Sequence, residues 1–107
     1  MKLIIAIVSG EDASVVSSEL VKQNFVVTRI NSTGGFLKAK SRTFIIGTKE
    51  EEVPKVLEII KEHSQSRNKE IPKIIKREFD MFDKLPAEVK IGGATVFILD
   101  IEQFHKF

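Results

Sequence analysis

The run Lys2-Leu3-Ile4-Ile5-Ala6-Ile7-Val8 limits the fold more than any other stretch of this chain. It is nearly unbroken apolar sequence, rich in β-branched residues, and too short to cross a membrane or to form a signal segment with its flanks. Such a run reads as a central strand buried on both faces. Ser9-Gly10-Glu11-Asp12 ends it and supplies side chains that cap a helix. Ala13, Val16 and Leu20 then recur at helical spacing, with Ser17, Ser18, Glu19 and Lys22 on the other side. Asn24 falls where this helix should stop, because asparagine tolerates the left-handed conformation of a helix end.

Phe25-Val26-Val27-Thr28-Arg29-Ile30 reads as a second strand and Thr43-Phe44-Ile45-Ile46-Gly47-Thr48 as a third. Val53, Val56, Leu57 and Ile60 set a second helix running to about His63. Thr48 with Glu51 resembles a capping box, but that frame places Pro54 inside the helix at a cost of about 3 kcal/mol. A start near Glu50 or Glu51 puts the proline in the first turn, where its missing N–H is harmless. Glu88 to Ile91 alternates like a half-exposed strand, Gly92-Gly93 permits a bulge or close approach, and Ala94 to Leu99 continues in β. The order strand, helix, strand, strand, helix, strand predicts an α+β, ferredoxin-like βαββαβ domain. Its four-stranded antiparallel sheet would carry both helices on one face.

At 107 residues the chain is expected to be one domain, 1–107. The stretch 64–87 stands outside the core pattern as a long, mobile insertion before the last strand. It carries Ser64, Ser66, Asn68, Pro72 and Pro86, with Ile71, Ile74, Ile75, Phe79 and Phe82 at helix-like spacing. A packed helix, a partner-binding element and a flap that orders on ligand binding are all open to it.

The chemistry of catalysis is thin. The chain has no cysteine, which excludes disulfides, thiolate metal sites and a cysteine nucleophile and fits a cytoplasmic setting. His63 and His105 stand in no metal spacing, so no metal site is expected. Glu50-Glu51-Glu52 sits at a helix start, where the dipole favours carboxylates. Serines lack a nucleophile-elbow context and no Walker or dinucleotide glycine pattern occurs. With Phe44 as the lone aromatic of the third strand, and no Tyr or Trp, an RNA-reading sheet is not expected, nor is DNA binding.

Asn31-Ser32-Thr33-Gly34-Gly35-Phe36-Leu37-Lys38 remains. Two glycines allow close backbone approach and free N–H groups to face an acceptor, while Ser32 and Thr33 add hydroxyls. Phe36 can stack on a flat ring; the plain alternative is a hairpin connection with Phe36 in the core. Between Leu20 and Lys49 lie six basic residues (Lys22, Arg29, Lys38, Lys40, Arg42, Lys49) and no acidic one, a positive field for an anionic ligand.

Several stretches, Asn24 through Ile30, Ser32–Lys38 with Thr43-Phe44 and Gly47, Ile91–Phe97 and Gln103-Phe104-His105-Lys106-Phe107, resemble the cyclic-di-AMP receptors of the PII-like superfamily. The resemblance covers the chain except the insertion. It implies a homotrimeric signalling protein, not an enzyme, that uses no cofactor. Cyclic di-AMP, or a related adenine nucleotide, would lie in clefts between subunits and be relayed to an unknown target protein. It assigns ligand contacts to Asn24, Thr28, Gly35, Phe36, Leu37, Ser41, Gly47 and Gln103, with Arg29, Lys38, Lys40 and Arg42 as possible phosphate contacts. The family usually has a basic residue at the position of Val26 and an asparagine at that of Ser41. Those two departures keep open a second reading, a trimeric interaction module that has lost nucleotide binding and acts through 64–87.

Overall fold

The computed structural model of the chain describes residues 1–30, 41–70 and 88–107. The elements are β1 (Lys2–Ser9), α1 (Gly10–Lys22), β2 (Val27–Ile30), β3 (Ser41–Thr48), a 3-10 turn (Glu50–Glu52), α2 (Val53–Ser64), β4 (Arg67–Glu70), β5 (Glu88–Ile91) and β6 (Ala94–Asp100). β2, β3, β1 and β6 form one sheet in that spatial order, with every neighbouring pair antiparallel. With β4 and β5 set aside, this is the ferredoxin-like arrangement expected from the sequence.

Local chemistry explains the helix ends. Ser9 caps α1, its hydroxyl oxygen accepting from the Glu11 N–H at 3.4 Å, with Glu11 and Asp12 in the first turn where the dipole favours them. At the other end Asn24 takes φ 68°, its N–H bonding the Val21 carbonyl at 2.9 Å while the Phe25 N–H reaches the Leu20 carbonyl at 3.1 Å. This is a Schellman turn with asparagine in the left-handed position, as expected, and Phe25 and Leu20 are both buried beneath it. Pro54 lies in the first turn of α2, also as expected. The hydroxyl of Thr48 donates to Glu52 Oε2 at 3.0 Å, one residue beyond the Glu51 of the capping-box reading, because a 3-10 turn intervenes.

Pleating sorts the sheet residues into two sets. Ile4, Ala6 and Val8 of β1 and Phe44 and Ile46 of β3 face the helices and pack on Ala13, Val16 and Leu20 of α1 and Val56 and Ile60 of α2. The opposite face holds three uncharged rows: Leu3, Ile5 and Ile7 of β1; Gly47, Ile45 and Thr43 of β3; Leu99, Phe97 and Thr95 of β6. Thr28 and Ile30 of β2 continue it. The structure therefore amends the reading of β1. Its helix-side residues are fully buried, whereas Leu3, Ile5 and Ile7 are only half-buried because no second layer covers them among the described residues.

Glu88–Ile91 also differs from expectation. It does not extend β6 through a bulge but pairs antiparallel with Arg67–Glu70, Arg67 opposite Ile91 and Glu70 opposite Glu88. The two strands form a separate ribbon, so the described part of 64–87 contains a strand, Arg67–Glu70. Gly92 and Gly93 make the turn from ribbon to sheet at φ 77° and 89°, values that only glycine adopts cheaply. The Gly93 N–H bonds the Ser64 carbonyl, and the buried Ser64 hydroxyl bonds the Ile60 carbonyl, fixing the ribbon's root to the last turn of α2. The helix-spaced residues Ile71, Ile74, Ile75, Phe79 and Phe82 lie outside the described residues.

Candidate functional site

Thr28 and Gly47 meet on the open face of the sheet. Thr28 is opposite Ile45, and Gly47 follows two residues along β3 on the same side. Both are exposed, as is Asn24 at the turn leading into β2. Between them Val26, 77% exposed, presents an apolar side chain. Glycine inside a strand weakens it and commonly marks close approach by another molecule. At Gly47 there is space: among the described residues an added Cβ would meet only the Met1 Cε, at 3.9 Å.

Gln103 belongs to the same end of the sheet but to its other edge. β2 and β6 are separated by β3 and β1, about 14 Å across three strand spacings. The Gln103 side chain bonds His105 Nε2 at 3.0 Å. Ser41 stands at the far end of β3, opposite Ser9, about 20 Å along the strand from Gly47. The fold thus brings Asn24, Thr28 and Gly47 together, leaves Gln103 at the opposite edge, and puts Ser41 at the opposite end.

The cations divide similarly. Arg29 pairs with Phe44 and Arg42 with Val8, so both start from the helix side of the sheet, away from Thr28 and Gly47. The Arg42 guanidinium donates to the Ser41 carbonyl at 3.1 Å. Gly35, Phe36, Leu37, Lys38 and Lys40 lie outside the described residues.

Lys2 and Asp100 close one end of the sheet, paired in register and joined by an ion pair. The hydrogen bond between them, reinforced by their mutual attraction, holds the Asp100 carboxyl below and the Lys2 ammonium above its ordinary range. The sign follows for each. The Asp100 contribution is present above the ordinary carboxylate range and lost as pH falls through its lowered value, and that of Lys2 is lost only as pH rises through its raised value. Asp100 is open to solvent and Lys2 partly so, which keeps the effect small. Asp100→Asn is expected to flatten the acid limb of stability against pH, measured by urea unfolding across the carboxylate range; an unchanged limb would refute the link.

An apolar cavity of about 420 Å³ opens between α2 and β6, bordered by Leu57, Ile60, Lys61, Ala94 and Val96. It lies at the ribbon's root, at the opposite end of the sheet from Gly47. No group of three or more His, Cys, Asp or Glu side chains suited to a metal ion occurs among the described residues. No described helix is long and apolar enough to cross a membrane. Sequence reasoning passed over the open face as a surface, although a strand apolar at every position already signals a demand for cover on both sides.

Two comparisons bear on this arrangement. In a crystal structure, a functionally unknown protein from Pediococcus pentosaceus ATCC 25745 shares 42% sequence identity with this chain at a TM-score of 0.80. The match covers 99% of this chain and 96% of that one. The family model for the cyclic-di-AMP receptor matches residues 1–107, the ribbon and its insertion included. The chain belongs to the cyclic-di-AMP receptor family.

Proposed function

We propose that this protein is a signalling receptor, not an enzyme, which binds cyclic di-AMP or a related adenine nucleotide between like copies and passes the signal to a target protein. The whole-chain family match carries the reading. In this reading Asn24 and Thr28 supply polar contacts, the backbone of Gly35–Leu37 donates to the nucleotide, and Phe36 packs on an adenine. Gly47 admits the ligand close to β3. Lys38 and Lys40 meet phosphates, while Arg29 and Arg42, starting from the other side of the sheet, add to the positive field more than to direct contact.

The separation of Gln103 and Ser41 from Thr28 and Gly47 supports a site shared between copies, since one chain does not gather them at one place. The uncharged, half-covered sheet face supports the homotrimer, because contiguous apolar surface of this kind marks an interface. Titration calorimetry with cyclic di-AMP, ATP and cyclic di-GMP tests the reading. Cyclic di-AMP is expected to bind most tightly and, at 100 times its dissociation constant, to add about 2.7 kcal/mol of stability. No heat and no thermal shift from any of the three at high micromolar concentration would refute it. Val26 would then favour the second reading, an assembly that acts through 64–87 without a nucleotide.

A further inference from the structure

Cyclic di-AMP is an anion through its phosphates, and an anion set against a sheet needs a counter-charge close by. Of the six basic residues between Leu20 and Lys49, Lys38 and Lys40 lie outside the described residues. Lys22 bonds Glu19 Oε1 at 3.1 Å on α1. Arg29 and Arg42 start from the helix side of the sheet, away from Thr28 and Gly47. That leaves Lys49.

Lys49 stands two residues beyond Gly47, about 7 Å further along the direction of β3. Its backbone is still extended, at φ −74° and ψ 151°, so the pleat of the strand continues through it. Thr48 between them is buried, on the helix side with Ile46, while Gly47 and Lys49 are both exposed. Lys49 therefore leaves the chain on the side of Gly47, Ile45 and Thr28. It makes no ion pair among the described residues. The carboxylates that follow it do not cancel its charge. Glu52 accepts from the Thr48 hydroxyl at 3.0 Å, and Glu50 lies near the Lys2 ammonium and favours its charged form. Glu51 is two positions from Lys49 in a helical turn, a spacing at which side chains do not face each other.

We propose that Lys49 binds a phosphate of the nucleotide held at Gly47. Its four-carbon stem lets the ammonium reach over the bare Gly47 backbone, and an ammonium binds phosphate as a point charge with little demand on direction. Val26, two residues before Thr28 and 77% exposed, brings no charge to the site, so the phosphate falls to Lys49. This inference rests on the receptor reading and names the group that neutralises the ligand at this end of the sheet.

Titration calorimetry with cyclic di-AMP tests it on the full-length chain and its variants Lys49→Gln, Lys49→Arg and Lys55→Gln, each at low and high salt. Lys55 is an exposed cation in the first turn of α2, so Lys55→Gln removes the same charge from the helix layer without touching the open face. Circular dichroism and sedimentation check that fold and assembly are kept, as the exposure of both lysines leads us to expect. Lys49→Gln is expected to raise the dissociation constant by about tenfold, the lower end for a hydrogen bond to a charged group. Lys49→Arg keeps the charge and should stay within about threefold. Lys55→Gln should bind like the unaltered chain. Salt should weaken binding of the unaltered chain more than that of Lys49→Gln, because screening acts on the charge contact that the variant lacks. Unchanged affinity in Lys49→Gln, an equal loss in Lys55→Gln, or a loss in Lys49→Arg as large as in Lys49→Gln overturns the Lys49 contact and leaves the receptor reading standing. No binding by the unaltered chain overturns the receptor reading, and the contact with it.

Discussion

Replacing Phe44 by alanine is expected to cost ~3–5 kcal/mol, a large share of the 5–15 kcal/mol that a domain of this kind possesses. Phe44 is 2% exposed and is the largest fully buried side chain among the described residues. It projects from β3 toward the helices, and its partner across β1 is Ala6, also fully buried, whose small size makes the room. Removing the ring leaves a void between the sheet and the helix pair. Helices packed on a continuous sheet cannot collapse into such a void without losing contacts with Ile4 and Ile46 beside it. Ile45→Ala is the control, because the next side chain points to the open face and is only half-buried. Urea unfolding of dilute protein should shift the Phe44→Ala midpoint far more than that of Ile45→Ala. Equal shifts would mean that the helix layer does not cover the sheet as described.

Much of this architecture was legible because each signal is local. Ser9 as a cap and Asn24 as a left-handed terminus follow from one side chain each and its nearest backbone groups, and both stand where expected. Pairing was harder. Glycines that permit a bulge also permit a turn, so the sequence alone did not separate Glu88–Ile91 from β6 or give it Arg67–Glu70 as a partner. That choice depends on contacts across a long insertion. The apolar character of β1 called for cover on both faces, whereas among the described residues only the helix side is covered, hence Leu3, Ile5 and Ile7 at half cover. In the candidate site one signal was available and unused: adjacent strand residues point to opposite faces, so Thr28 and Arg29 cannot both start toward one ligand.

Valine at Gly47 is expected to leave the fold intact and to weaken cyclic-di-AMP binding by about 5- to 150-fold, the range that 1–3 kcal/mol of overpacking produces. The fold should tolerate it because, among the described residues, an added Cβ meets only the flexible end of Met1, at 3.9 Å. Valine also favours strands, and glycine in a strand interior costs roughly 0.5–1 kcal/mol relative to alanine, so stability should hold or rise slightly. Binding is different, since a branched side chain beside Thr28 fills the space through which a nucleotide would reach the β3 backbone. Stability and affinity are thus expected to move independently, which separates a ligand role for Gly47 from a structural one. Unfolding of dilute protein reads the first and calorimetry the second. Sedimentation of the same samples tells loss of ligand from loss of assembly, because Gly47 also borders the face proposed to join the copies. Affinity unchanged in a folded, assembled Gly47→Val protein would remove Gly47 from the site, and with it the main support for placing the nucleotide at this end of the sheet.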